Sequence, residues 1–262
     1  MSSSLALVGG ALAGSAAGAA LGRWPQGETL ARPARSRCTA CGTLLRARHL
    51  VPVVSWLALR GRCATCGAPI DARLPLLEAS SALLVVAAVR VHGVGASAVL
   101  LAVGGVALLL AAMSDLERLR IPDRLTFPLA AVGLVGLVLL RPEAAPAGLL
   151  WALGVPATMH AAGALAERSG LRRPVGRGDT KLLVGVLALA GLVDGGPATV
   201  LVLTVVAGGV ASAVGLATGR LRSGDVIPLA PAVALAYLLV VLVPSIPSVL
   251  DAATVSVGGG VR

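Results

Sequence analysis

The chain has 262 residues, 56% of them hydrophobic and only 13% charged, about half the charged share of an ordinary soluble domain. Its net charge of +10 lies in basic loops between apolar runs, and aromatics make up only 2% of residues, too few for base stacking, so nucleic acid is excluded as the partner of that charge. What remains is an all-α bundle of membrane helices, each needing ~20 apolar residues and packed here by Leu, Val, Ala and Gly.

Eight apolar segments follow one another along the chain. The first, 4–22, has no Lys or Arg ahead of it. Gly14-Ser15-Ala16-Ala17 has the small residues of a signal cleavage site, but without a basic lead a retained helix is expected. After the loop 23–73 come 74–91, 95–113, 124–141, 145–166, 180–194, 197–218 and 226–245. Segment 180–194 is the weakest as a full span and is expected to be tilted or partly re-entrant. If all eight cross, loops 23–73, 114–124, 167–181 and 219–225 share one side. Those loops hold 19 of the 22 Arg and Lys residues, and the other side keeps Arg90, Arg141 and Arg262. The positive-inside rule then places the basic loops in the cytoplasm and both termini outside. The expected organisation is a first helix (1–22), a cytoplasmic metal loop (23–73), linking helices (74–105), a membrane catalytic region (106–245) and an extracytoplasmic tail (246–262).

The loop 23–73 is the one sizeable region expected outside the bilayer, and it carries all four cysteines. Cys38, Cys41, Cys63 and Cys66 form C-x2-C-x21-C-x2-C, slightly wider than the usual zinc spacing of ~15–20 intervening residues. The two turns repeat each other: Arg37-Cys38-Thr39-Ala40-Cys41-Gly42 matches Arg62-Cys63-Ala64-Thr65-Cys66-Gly67. Two Cys-x-x-Cys turns offer four thiolates to one tetrahedral ion, so a structural zinc is expected. Two disulfides are the competing reading. They need an oxidising compartment, and the charge count places the loop in the cytosol.

Two aspartates stand at the ends of apolar segments, where carboxylates are costly and tend to be functional. Asp115 follows the run ending at Met113, and Asp179 follows Gly176-Arg177-Gly178 and precedes Thr180-Lys181. Taken singly, Asp115 reads as an interface charge paired with Arg118 or Arg120. Asp179 reads as a cap facing a helix dipole, with Gly176 and Gly178 letting the backbone bend sharply. Taken together, on one face, they make an acid/base pair that shares a proton and can hydrolyse a peptide without metal or nucleophile. Asp123, after Pro122, reads as a cap with a supporting role. Nucleotide loops, serine-hydrolase elbows and H-E-x-x-H helices do not occur.

These residues resemble the bacterial prepilin peptidases, the type IV leader peptidases. The resemblance runs from Gly14-Ser15 through both cysteine turns, Val54-Ser55-Trp56-Leu57, Leu74-Pro75-Leu76-Leu77-Glu78 and Asp115 to Pro128. It continues through Gly176-x-Gly178-Asp179-x-Lys181 to Ile227-Pro228-Leu229-Ala230-Pro231. It implies a polytopic aspartic protease of the bacterial cytoplasmic membrane, with Asp115 and Asp179 catalytic and Asp123, Gly176, Gly178 and Lys181 in support. The implied substrates are prepilin and pseudopilin precursors, cut on the cytoplasmic side after a glycine. Many members also methylate the new amino terminus with S-adenosylmethionine, an activity associated with the amino-terminal region, where Glu78 is a candidate. Gly18 departs from the asparagine usual in the first motif. Two other classes stay open: a transporter, which would want its carboxylates mid-helix, and a zinc-bearing scaffold without catalysis.

Overall fold

A computed structural model describes residues 3–23, 36–173, 175–222, 227–243 and 245–247. Of the expected tail, only 246–247 lie among the described residues. Within them the fold is all-helical, apart from two isolated antiparallel bridges, Arg37 with Leu44 and Arg62 with Pro69. The chain divides into two compact units, Met1–Arg90 and Val91–Arg262.

In the first unit, α1 (Ser3–Arg23) packs on α3 (Arg73–His92), which continues two residues past the unit boundary. The helices approach through small residues. A Cβ at Gly10 would lie 2.7 Å from Ala82 Cα, and one at Gly14 would lie 2.8 Å from the Leu77 carbonyl oxygen. Between them in sequence come the cysteine turns and a short helix α2 (Val54–Ala58).

The second unit contains α4 (Ala96–Arg118), α5 (Asp123–Leu140), α6 (Ala145–Leu149), α7 (Val155–Arg168), α8 (Arg177–Ala190), α9 (Gly196–Ala217) and α10 (Ala230–Leu242). A π turn over Leu150–Gly154 joins α6 to α7 just before Pro156. Proline has no amide for the regular ladder, so the register shifts there. Helix α8 forms the core: Leu182, Leu183, Val186, Leu187 and Leu189 are all fully buried. It lies tightly on α5 at Gly185, where a Cβ would fall 2.8 Å from the Ala130 amide nitrogen and the Leu129 carbonyl carbon. Backbone cannot yield as a side chain can. Gly185→Ala is therefore expected to cost about 1–3 kcal/mol by overpacking. Gly209→Ala on α9 meets nothing within 4 Å and should be neutral or stabilising. Thermal midpoints of the two variants in detergent test the contrast.

Five helical stretches are long and apolar enough to cross a membrane: Arg73–His92, Ala96–Arg118, Asp123–Leu140, Ala145–Arg168 and Gly196–Ala217; Ser4–Ala20 and Ala230–Leu242 are shorter apolar helices. Helix α8 has 14 residues, a rise of ~21 Å against a hydrocarbon core of ~30 Å. The eight expected segments are thus all helical, but they are not eight full-length spans. The weakest one in sequence is short because it is enclosed by its neighbours. Its last four residues, 191–194, leave the helix as a turn into α9.

The connectivity gathers the end of α4 and the starts of α5, α8 and α10 at one end of this unit. At the far end, Arg141 donates to Asp194 at 2.6 Å and to the Leu192 carbonyl at 3.1 Å, joining α5 to the α8–α9 turn.

Candidate active site and cysteine cluster

Asp115 lies within α4, which continues to Arg118 rather than ending at Met113. Leu119 closes it in the left-handed conformation, its amide bonded to the Asp115 carbonyl at 2.8 Å. Ser114 Oγ donates to the Arg120 carbonyl at 2.7 Å, which folds the exit loop back on the helix end. Asp115 is 6% exposed. Its Oδ2 accepts the backbone N–H of Ala230 at 3.0 Å, so its partner is the first turn of α10 and not Arg118 or Arg120. Arg118 pairs with Glu117 instead, at 4.0 Å.

Asp179 is the third residue of α8, whose N-cap is Gly176. Its carboxyl turns back toward the amides of Gly176 and of Asp179 itself, the reach-back of a capping box. A Cβ at Gly176 would sit 2.7 Å from Asp179 Oδ2, so the glycine makes room for the carboxylate. Neither Gly176 nor Gly178 has a positive φ. What these glycines do provide is close approach: Gly178 faces Ile121, 3.4 Å from where a Cβ would stand. Asp179 precedes the apolar stretch 180–194. Burial first, and the charge of neighbouring Asp115 second, push its carboxyl above the usual carboxylate range. Its Oδ1 is buried with no hydrogen-bond partner.

Asp123 and Lys181 meet each other rather than the pair. Lys181 Nζ lies 2.7 and 2.9 Å from the two Asp123 oxygens and 5.3 Å from the Phe127 ring centre. Asp123 makes no side-chain cap; the bridge fastens the start of α5 to the first turn of α8. Both side chains are about half exposed, so the ion pair itself is worth under ~1 kcal/mol. Ala230 was missed as a site contributor. The signal for it is the pair of prolines, Pro228 and Pro231, which mark a helix start whose free amides need acceptors.

In the first unit, all four cysteines are free and their sulfurs lie within 4.8 Å of one another. The sequence repeat is a structural repeat. Cys38 N–H donates to Thr43 O and Gly42 N–H to Cys38 O, both at 2.9 Å; Cys63 N–H donates to Ala68 O at 2.8 Å and Gly67 N–H to Cys63 O at 2.9 Å. Gly42 and Gly67 have φ of +70° and +71°, which a side chain rarely tolerates. The Thr43 hydroxyl and amide pull the Cys41 thiol down to about 6, and the amides of Cys66 and Thr65 lower Cys63. Both effects favour thiolates, the metal-binding form. Cys38 and Cys66 sulfurs are 3.8 Å apart. A tetrahedron with Zn–S bonds of ~2.3 Å has edges of about 3.8 Å, so the cluster fits one such ion. Glu78 stands apart from the cluster, its Oε2 accepting the Val53 amide at 2.6 Å.

Fold and site together define an integral membrane protein of helices, with a buried and a half-buried acidic side chain, Asp115 and Asp179, at one end of a bundle and a four-thiol cluster in a separate unit. The chain belongs to the type IV leader peptidase family, which it matches over residues 102–255; residues 8–91 match the bacterial peptidase A24 N-terminal domain. A prepilin leader peptidase/N-methyltransferase of Stutzerimonas stutzeri is 34% identical over 207 residues, 77% of this chain and 69% of the relative. Proteins of that name are 46% identical over 102 residues in Burkholderia pseudomallei (strain K96243) and 43% identical over 84 residues in Myxococcus xanthus. Those two matches take in 38% and 32% of this chain, and span 32% and 25% of the relatives' lengths. No solved structure matches the chain.

Proposed function

We propose that the protein is a membrane aspartic endopeptidase that removes the leader from prepilin-like and pseudopilin precursors at the cytoplasmic face and then methylates the new amino terminus. The observation that carries this reading is the pair of carboxyls itself. Asp115 is held by one backbone donor, and Asp179 has an unpartnered buried oxygen and a carboxyl driven toward its protonated form. The two environments suit two roles. Asp115 takes a proton from water as the water oxygen attacks the scissile carbonyl carbon. Asp179 gives its proton to the carbonyl oxygen. When the intermediate collapses, the C–N bond breaks, the departing amine takes the proton that Asp115 accepted, and a hydroxyl proton of the intermediate returns to Asp179.

The basic loops set the orientation, with the cysteine unit and the carboxylates facing the cytosol and the substrate's apolar helix lying in the bilayer. Cys38, Cys41, Cys63 and Cys66 would hold a zinc ion with all four thiolates, and that ion would serve structure alone. S-adenosylmethionine supplies the methyl group.

Co-expression with a prepilin, followed by intact mass of the pilin product, tests the reading. Loss of the leader with a gain of one methyl group is expected. An uncut precursor beside a folded, membrane-inserted protein would overturn it.

A further inference from the structure

The arginines of the cysteine region flank an apolar stretch. Residues 46–62 carry Arg46, Arg48, Arg60 and Arg62 toward their two ends and no Asp or Glu anywhere; all four arginines are exposed. At the centre, Val54 and Leu57 are neighbours at i and i+3 on α2, and they are 61% and 63% exposed. Val51, just before the helix, is exposed as well. Trp56 turns the other way: its Nε1 donates to the Ile70 carbonyl at 3.2 Å, and the indole lies over Gly61, where a Cβ would come within 2.8 Å of Cζ2. Helix α2 thus packs its aromatic ring inward and leaves two aliphatic side chains uncovered.

Glu78 sets the height of this surface along the membrane helices. Helices α1 and α3 run antiparallel, with Gly10 against Ala82, Gly14 against Leu77 and Gly18 against Leu74, so the chain leaves and re-enters the bilayer on one side. On α3, Leu76 and Leu83 are each 66% exposed and, seven positions apart, share a face left open for lipid. Glu78 stands two residues past Leu76, and a long side chain on a helix leans back toward the N-terminus. Its Oε2 accepts the Val53 amide at 2.6 Å. The turn that launches α2 is therefore held level with the first turns of α3, where the apolar face begins, and not out in bulk water. Val53 makes that contact with φ at 61°, a conformation that a β-branched residue keeps only where its surroundings enforce it.

We infer that residues 46–62 dock on the anionic headgroup layer of the bilayer that holds α1 and α3. Val51, Val54 and Leu57 enter the boundary between headgroups and acyl chains, and the flanking arginines meet lipid phosphates. An apolar centre between basic flanks is the pattern of segments that lie in a membrane interface, and the cytoplasmic leaflet is the anionic one. The choice of leaflet rests on the cytoplasmic placement of the basic loops proposed above. A second protein would have to reach a surface already standing at headgroup level, whereas the bilayer is there from the start.

Hydrogen exchange of the full-length, zinc-loaded protein in lipid nanodiscs tests the contact. Amides of residues 53–59 should exchange about tenfold more slowly in phosphatidylglycerol discs than in phosphatidylcholine discs. The double variant Val54→Gln, Leu57→Gln should lose that protection. Both side chains are exposed, so its zinc content and the exchange of α1 and α3 should match wild type. The double variant Arg46→Gln, Arg48→Gln should narrow the gap between the two lipids, as should raised salt. Equal exchange of the wild type in both lipids, or full protection in the Val54→Gln, Leu57→Gln variant, would overturn the inference. Protection that appears only on adding a prepilin, whatever the lipid, would overturn it too, by making the surface a substrate dock. Nanodiscs have no cytoplasmic side, so the lipid result is independent of orientation. Trypsin reaching Arg46 and Arg48 only from the outside of intact spheroplasts would refute the cytoplasmic placement, and with it the choice of leaflet, without touching the lipid contact.

Discussion

Asp115→Asn and Asp179→Asn are each expected to lower prepilin cleavage by about 10³-fold or more, the loss of ~4 kcal/mol of barrier stabilisation. The two carboxyls act on one proton inventory, so the double variant should be scarcely worse than either single one. The substitutions are nearly isosteric, and folding should survive. Asp115→Asn retains a side-chain oxygen for the Ala230 amide, which the carboxylate now accepts at 3.0 Å. At position 179, removing a carboxyl that burial and Asp115 already disfavour as an anion relieves repulsion, so the thermal midpoint should hold or rise. Leader removal followed on gels, beside melting curves of the same preparations, separates chemistry from folding. Full cleavage by either variant sinks the aspartic mechanism, whereas inactive but folded variants exclude a scaffold.

The features legible in the sequence were those set by near neighbours along the chain. The repeated Arg-Cys-x-x-Cys-Gly turn determines its own backbone bonds and its left-handed glycines, so Gly42 and Gly67 could be anticipated from spacing alone. Asp115 and Asp179 stood out because charged residues end otherwise apolar runs. What depended on contacts across the bundle was not legible. The Ala230 amide reaches Asp115 from 115 positions away. Asp123 looked like a cap and instead pairs with Lys181, 58 positions away between α5 and α8, a contact that local spacing does not reveal. Helix α8 looked like a weak span. Its apolar run reflects burial against α5 at Gly185 rather than exposure to lipid, and hydropathy cannot tell those two environments apart.

The second large effect concerns the metal. The cysteine region has almost no apolar core: Cys63 is its only buried hydrophobic residue among described residues 36–72, while Leu44, Leu50, Val51, Val54 and Leu57 are all exposed. Two bridges and a five-residue helix cannot offset the conformational entropy of ordering so long a loop. Binding energy from a structural zinc, of order 10–16 kcal/mol in small zinc modules, can. Cys63→Ser is therefore expected to abolish stoichiometric zinc and to unfold this region, opening Arg46, Arg48 and Arg60 to trypsin within minutes. The second unit has its own core around α8 and should keep its protease-resistant helices. Metal analysis and limited trypsin digestion on one preparation check these consequences. Wild-type protein without zinc, or a Cys63→Ser variant as trypsin-resistant as wild type, would show that something other than the metal orders the loop.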